Sequence, residues 1–293
     1  MSSGSVAIQD FELAQSSLLR SCGLLLGRSA SRRPGRVAAV KEVPLIGGNF
    51  NDATRVGDTV RRRAGPWTPA VHALLRFLEN AGFEAPRARG MDEKGREILE
   101  YIDGDVHPGW PDPAPDWVMD DDHLAEGARL LRRYHDLVEG FVPPADPRWR
   151  FVAPTAHEII CHNDWSPGNA LFRERRLAVM LDWDTAGPGT RLWDIANSAY
   201  SWVPLKSESG AFSIDERAVR LRHFCDAYGL SNRASLLDVL KERTLFVGEF
   251  ISEQAGLGDK GAMKLADWDV PARMKRDAAY QDEHRAVLER ALT

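Results

Sequence analysis

From Val43 to Arg63 short apolar runs alternate with polar residues and are punctuated by Gly47, Gly48, Asn49, Asn51, Asp52, Gly57 and Asp58. That pattern predicts a β-hairpin followed by a further strand. Gly65 and Pro66 stop the strand, and Thr68-Pro69 predicts a helix start, with the threonine as N-cap and the proline at the first helical position. Val71, Leu74, Leu75 and Leu78 then recur at helical spacing as far as Gly82. Two more strands are expected, at Pro86 to Met91 and Arg96 to Ile102, flanking the turn Asp92-Glu93-Lys94-Gly95.

Beyond Gly104 the period changes to that of helices. A proline-rich connection, Pro108 to Pro115, leads to a predicted helix from Asp121 to Gly140, with Leu124, Ala128, Leu131, Tyr134 and Leu137 or Val138 on one face. His157 to Trp183 alternates apolar strands with a polar loop. Helices resume at Leu192 to Trp202, Asp215 to Tyr228, Ser231 to Gln254 and Pro271 to Leu292. The expected fold class is therefore α+β, with a small β-rich lobe over residues 44–103 and a larger, mainly helical lobe over 104–293. Residues 1–43 read as a tail or an extra helix: Phe11 to Leu26 is apolar-patterned, and Arg28 to Arg36 has linker composition.

Composition narrows the class. The 293 residues are 43% hydrophobic and 28% charged, with no apolar run long enough for a membrane span, so no membrane partner is expected. A formal net charge of -5 is the wrong sign for a nucleic-acid binder. It leaves a small phosphate ligand open. The residues up to Asp103 carry a surplus of basic side chains and those beyond a surplus of acidic ones. Cys22, Cys161 and Cys225 form no pattern of a disulfide framework or zinc site, and Met1 to Glu12 holds no basic residue of a secretory leader. A cytoplasmic location is expected.

The chemistry concentrates between Ile159 and Asp184. An apolar strand enters a polar loop containing His162, Asp164 and Asn169, and an apolar strand leaves it; the next strand, Leu177 to Leu181, ends in Asp182-Trp183-Asp184. A hairpin would bring Asp164, Asn169 and Asp182 together. Two carboxylates and an amide oxygen supply hard oxygen ligands and a proton acceptor, the set that magnesium-assisted phosphoryl transfer needs. A zinc site from His157, His162 and Asp164 is set aside, because no H-E-x-x-H or open three-ligand spacing occurs.

His162-Asn163-Asp164-Trp165-Ser166-Pro167-Gly168-Asn169 resembles the H-x-D-x-x-x-x-N loop of protein kinases and of the aminoglycoside phosphotransferase and choline kinase-like enzymes. Asp182-Trp183-Asp184 looks like that family's counterpart of D-F-G, and Gly189 to Ala196 is similar to the stretch that follows it in small-molecule kinases. Ser166 stands where protein kinases usually have lysine, which favours the small-molecule branch. Arg55 to Arg62 and Pro66 to Leu75 also look like a bacterial subgroup of these phosphotransferases, some labelled trifolitoxin-immunity-like.

The resemblance implies a protein-kinase-like two-lobe fold, ATP as donor, Mg2+ as metal and a small-molecule hydroxyl as acceptor. Asp164 would accept or orient the proton of that hydroxyl, Asn169 and Asp182 would hold the metal, and Asp184 would be a further ligand or a supporting group. His162 would shape the loop, and Asp194 would anchor it. In the first lobe, Gly47 and Gly48 would lie in the phosphate-covering turn, and strand Thr59 to Arg63 offers Arg61 and Arg62 for the nucleotide phosphates. Alternation puts Arg62 on the face of Val60, which is expected to pack on adenine, so Arg62 is preferred. Glu100 to Gly104, including Ile102, would be the adenine-binding hinge.

One departure stands out. The next helix in the family usually supplies a glutamate to this basic residue, and here its place falls near Val71 and His72; the ion pair is missing or rebuilt. Two functions follow as alternatives: a kinase that phosphorylates a small molecule such as an aminoglycoside-like or other cationic alcohol, or a kinase-fold binder with little transfer, acting in immunity or regulation. Asp116, Asp120, Asp121, Asp122, Asp215 and Glu216 could line a cleft for a cationic acceptor or equally be solvated helix starts.

Overall fold

The computed structural model describes residues 41–45, 53–107 and 114–293. Residues 1–40, Gly47 and Gly48 lie outside the described residues, so the expectations placed on them are not addressed by it. Val40–Thr293 forms one compact unit.

Strands β1 (Glu42–Pro44), β2 (Thr54–Val56), β3 (Thr59–Arg63), β4 (Ala88–Met91) and β5 (Arg96–Glu100) form an antiparallel sheet in the order β1-β2-β3-β5-β4. The β3 and β5 register places Arg62 opposite Glu97. Helix α1 (Thr68–Asn80) runs between β3 and β4 and buries Val71, Leu74, Leu75 and Leu78. It starts one residue earlier than its sequence predicts. Trp67 is the N-cap, and the Thr68 hydroxyl instead accepts the Gly65 N–H at 2.9 Å.

Beyond Gly104, β6 (Asp105–Val106) joins β8 (Ala170–Arg173) and β9 (Arg176–Met180), while β7 (Ile159–Cys161) pairs with β10 (Gly187–Gly189). Helix α2 (Asp121–Val138) begins where the Asp120 carboxylate accepts the His123 N–H at 2.8 Å. Helices α3 (Arg191–Trp202) and α4 (Ile214–Tyr228) match expectation, the latter opened by a capping box of Ser213 and Glu216 and closed by Gly229 at φ 79°.

The C-terminal region departs further. Helix α5 (Leu236–Gly256) starts after a turn in which Leu236 N–H donates to Arg233 O, and α6 (Lys260–Asp267) was not foreseen. The expected final helix is two, α7 (Val270–Glu283) and α8 (Arg285–Leu292), interrupted at His284. Its apolar positions are too sparse to show the break.

One core runs through both parts, uniting Leu74 and Leu78 of α1, Leu124 and Leu131 of α2, and Trp165, Trp183 and Trp202. Cys161 and Cys225 are buried free thiols. Among the described residues no helix is long and apolar enough to cross a membrane.

Candidate active site

β7 delivers the chain into the His162 to Asn169 loop, whose backbone is held by one buried carboxylate. Asp194, in the first turn of α3, accepts the N–H of His162 at 2.7 Å and of Asn163 at 2.8 Å, and lies 3.0 Å from His135 Nε2. Burial alone would raise its carboxyl; these hydrogen bonds and the neighbouring histidines hold it below the ordinary range. Asn163 adopts φ 67°, a left-handed conformation that turns the chain sharply so that Asp164 opens to solvent.

Leu181 joins this loop to the next. His162 Nε2 lies 2.9 Å from Leu181 O, the Leu181 N–H donates to Asn169 O at 2.8 Å, and the Asp164 N–H lies 3.2 Å from His162 Nδ1. An Nε2-protonated, neutral imidazole satisfies both of its contacts, and burial drives the ring toward that form. His162 therefore shapes the loop from within. Asn169 Nδ2 donates to Asp164 O at 2.7 Å and to Asp164 Oδ2 at 2.8 Å. Arg243 of α5, which the sequence did not single out, donates to Asn163 O at 2.8 Å from between the rings of Phe151 and Trp193.

Asp182 follows Leu181 at φ 59°, a left-handed value uncommon for a residue with a Cβ, while the Trp183 ring is buried 4.6 Å from that of His162. The turn thus points Asp182 to the cleft and Asp184 inward. The cleft walls and then the Asp182 charge push the Asp164 carboxyl up to about 7.

Arg62 reaches these carboxylates from β3. Its Nη1 lies 2.9 Å from Asp182 Oδ1, its Nη2 2.6 Å from Asp184 Oδ1, and its Nε donates to Glu97 Oε1. Burial would weaken the guanidinium charge, but Asp184, Glu97 and Asp182 outweigh it and raise its pKa. Glu97 Oε2 in turn lies 3.1 Å from His72 Nε2 on α1. Of the two alternatives, an ion pair missing or rebuilt, the structure shows a rebuilt one: the carboxylate comes from β5, and the helix supplies a histidine behind it. Glu97 was missed, although Glu97 and Leu99 share the buried face of β5, and an acid at an inward strand position is a signal.

Arg61 faces the other side, near Asp92 at 3.8 Å. Glu100 ends β5 with its N–H on Arg87 O, Tyr101 N–H donates to Asp58 O, and Ile102 follows half-buried. The acids that could have lined a cationic cleft are partly engaged: Asp120 caps α2, Asp121 pairs with Arg220 at 2.6 Å, and Glu216 closes its capping box.

Among the described residues no three His, Cys, Asp or Glu side chains converge into a metal cage. The donor chemistry nevertheless fits magnesium. Asn169 uses its amide nitrogen on Asp164, which leaves Oδ1 as its remaining donor, and Arg62 takes only Oδ1 of Asp182. The residues that would hold the metal are Asp182 and Asn169, the oxygen ligands of a hard cation.

A model of the phosphotransferase enzyme family matches residues 113–235. The chain is 32% identical over 268 residues to the trifolitoxin immunity protein of Rhizobium leguminosarum bv. trifolii, covering 86% of this chain and 98% of that one. Its fold is similar to that of an amicoumacin kinase solved with AMP-PNP, Ca2+ and Ami (TM-score 0.58, 12% identity, 85% of this chain and 89% of that one). It is also similar to a choline/ethanolamine kinase family protein from Mesorhizobium loti (TM-score 0.55, 16% identity, 87% and 94%).

Proposed function

The chain belongs to the aminoglycoside phosphotransferase and choline kinase-like family, and from that premise we propose that it transfers the γ-phosphate of ATP to a hydroxyl of a small molecule. The observation that carries this reading is the bracing of Asp164, Asn169 and Asp182 through Leu181 and Asp194. A pure binder has no need of a proton acceptor fixed beside two metal donors.

Asp164, held by the Asn169 amide, orients the acceptor hydroxyl and takes its proton as the oxygen attacks phosphorus. Magnesium on Asp182 and Asn169 would screen the charge that develops on the phosphate oxygens. Arg62, kept protonated by its carboxylates, contacts the phosphates from the sheet side, and Glu97 and His72 hold it in place. The reaction involves no oxidation or reduction; the P–O bond to ADP breaks and its electron pair leaves with ADP as the acceptor oxygen forms the new P–O bond.

The test is ADP release from purified protein with ATP, magnesium and hydroxylated acceptors. Asp164→Asn and Asp182→Asn should each abolish transfer while the melting temperature stays near that of the parent. An intact, ATP-binding protein with no turnover on any acceptor would overturn the reading. The second reading, a nucleotide binder acting in immunity, is favoured by the grip of Arg62 on Asp182 and Asp184 and by the name of the 32% identical relative. For a cationic acceptor such as an aminoglycoside the support comes from the structural neighbours, since three of the six candidate acids, Asp120, Asp121 and Glu216, are engaged at helix starts.

A further inference from the structure

Both peptide units that flank Asp164 are held in place. The one after it is gripped by Asn169, whose amide donates to Asp164 O at 2.7 Å. The one before it is gripped from α5: Arg243 Nη2 donates to Asn163 O at 2.8 Å, and at the other end of the same peptide the Asp164 N–H lies 3.2 Å from His162 Nδ1. Asn163 stands at φ 67° with its N–H on Asp194 and its side-chain amide on Thr185 O at 3.0 Å. The left-handed turn that presents Asp164 is thus fastened at the amide, the side chain and the carbonyl of one residue.

Arg243 is 3% exposed, and its hydrogen bond goes to Asn163 O; Nε and Nη1 have no partner, and no carboxylate stands at ion-pair distance among the described residues. Its guanidinium lies 4.5 Å from the Phe151 ring centroid and 5.3 Å from that of Trp193, and Phe246, three residues along α5, packs on those two rings at 5.2 and 5.5 Å. Burial draws the group down to about 10, which leaves it charged at neutral pH. Burying a charge with N–H groups unsatisfied is costly, and a neutral donor would reach the same carbonyl at smaller cost. What the guanidinium adds is a charge-assisted bond, roughly twice as strong as a neutral one, and a planar group that aromatic faces hold in one orientation. All of that is directed at the carbonyl covalently joined to the Asp164 nitrogen.

We propose that Arg243 is a positioning residue of the phosphoryl transfer: through the Asn163 carbonyl it fixes the peptide ahead of Asp164, and with it the direction in which the carboxylate meets the acceptor hydroxyl. It touches neither nucleotide nor acceptor. Without it that peptide keeps only its N–H contact to His162 and is free to tilt, which carries the carboxylate away from the Asn169 amide that holds Oδ2 at 2.8 Å. A helix far along the chain from the catalytic motifs then takes part in setting the reaction geometry. This rests on the transferase reading given above.

The experiment compares the parent with Arg243→Met, Arg243→Lys and Arg243→Ala by three measurements on the purified full chain: ADP release with the best acceptor of the panel, ATP affinity by calorimetry, and amide hydrogen exchange over residues 162–169 by mass spectrometry. In Arg243→Met exchange over 162–169 should quicken about tenfold while that of α8 is unchanged. Its kcat should fall about thirtyfold or more, with KM and ATP affinity staying within about threefold of the parent. Arg243→Lys, which keeps the charge and loses the fork, should lie between the two, and it carries the comparison if Arg243→Met does not fold. Methylguanidinium added to Arg243→Ala should slow the exchange of 162–169 and raise kcat about fivefold, where methylammonium at equal concentration does less. Exchange over 162–169 as slow as in the parent, or a loss shared equally by kcat, KM and ATP affinity, would overturn the inference. A parent without turnover on any acceptor, whose loop still loosens on replacement of Arg243 and tightens with methylguanidinium, would sink the transferase reading while sustaining the clamp on Asp164.

Discussion

Arg62 and Glu97 face each other across β3 and β5, both buried, and their ion pair aims the guanidinium at Asp182 and Asp184. In this chain the partner of Arg62 is carried by the sheet, and α1 contributes His72 behind it. Removing one member of a buried pair costs about 3–5 kcal/mol because it strands the other charge. Here Arg62 retains two further carboxylates, so the cost is smaller and the loss falls mainly on orientation.

Glu97→Gln should therefore fold with a loss of about 1–3 kcal/mol and weaken ATP binding roughly tenfold, a factor worth about 1.4 kcal/mol. Adding His72→Glu to that variant moves the carboxylate from strand to helix. It should restore part of the ATP affinity, read by calorimetry; no recovery would show that the strand position itself is required.

Asp194→Asn should destabilise the protein by about 3 kcal/mol, since it disturbs a buried network that holds two backbone amides and His135. The sign with pH follows from its lowered carboxyl. A depressed folded pKa contributes stability above the unfolded value, and that share is lost as pH falls through the folded one. The parent should lose stability in acid more steeply than Asp194→Asn, and urea denaturation at a series of acidic pH values measures the difference.

His162→Ala should leave ATP affinity within a few fold of the parent yet reduce kcat at least a hundredfold, because Asp164 and Leu181 lose the ring that spaces them. Equal loss in kcat and in ATP binding would contradict a role confined to shaping the loop.

Gly187→Ala should cut soluble yield and lower stability by more than about 2 kcal/mol. A Cβ at Gly187 would run into the carbonyl of Phe151, a backbone atom of the segment that the Ala153 N–H ties to Pro188 O of β10 at 3.0 Å. Gly57→Ala, whose Cβ would meet nothing, serves as a control for strain alone, because Gly57 has φ 66°. The expected order of melting temperatures is parent, Gly57→Ala, Gly187→Ala.

The longer strands and helices were legible because each period is local: alternation exposes one face of a strand, and spacing of three or four buries one stripe of a helix; the short β6 and β10 and helix α6 were not. Locality also made legible His162, Asp164 and Asn169 in the loop between β7 and β8 and Asp182 just beyond β9, the hairpin partner of β8, whose chain geometry leaves few ways to arrange them. The break at His284 and the start of α5 were not legible, since each depends on packing that a single segment does not encode.

What the sequence determined by itself was most of the succession of elements and the oxygen chemistry gathered between Ile159 and Asp184. The tertiary structure alone decided which charges meet. Arg62 and Glu97 are 35 residues apart, Arg62 and Asp182 are 120 apart, and Asp194 reaches Asn163 from 31 residues away. Charge pairing depends on distance in space and on the loss of water around the pair, and neither quantity exists along an unfolded chain. So the missing helix glutamate was visible in the sequence, while its replacement by a strand glutamate and a histidine became visible only when β3, β5 and α1 were packed together.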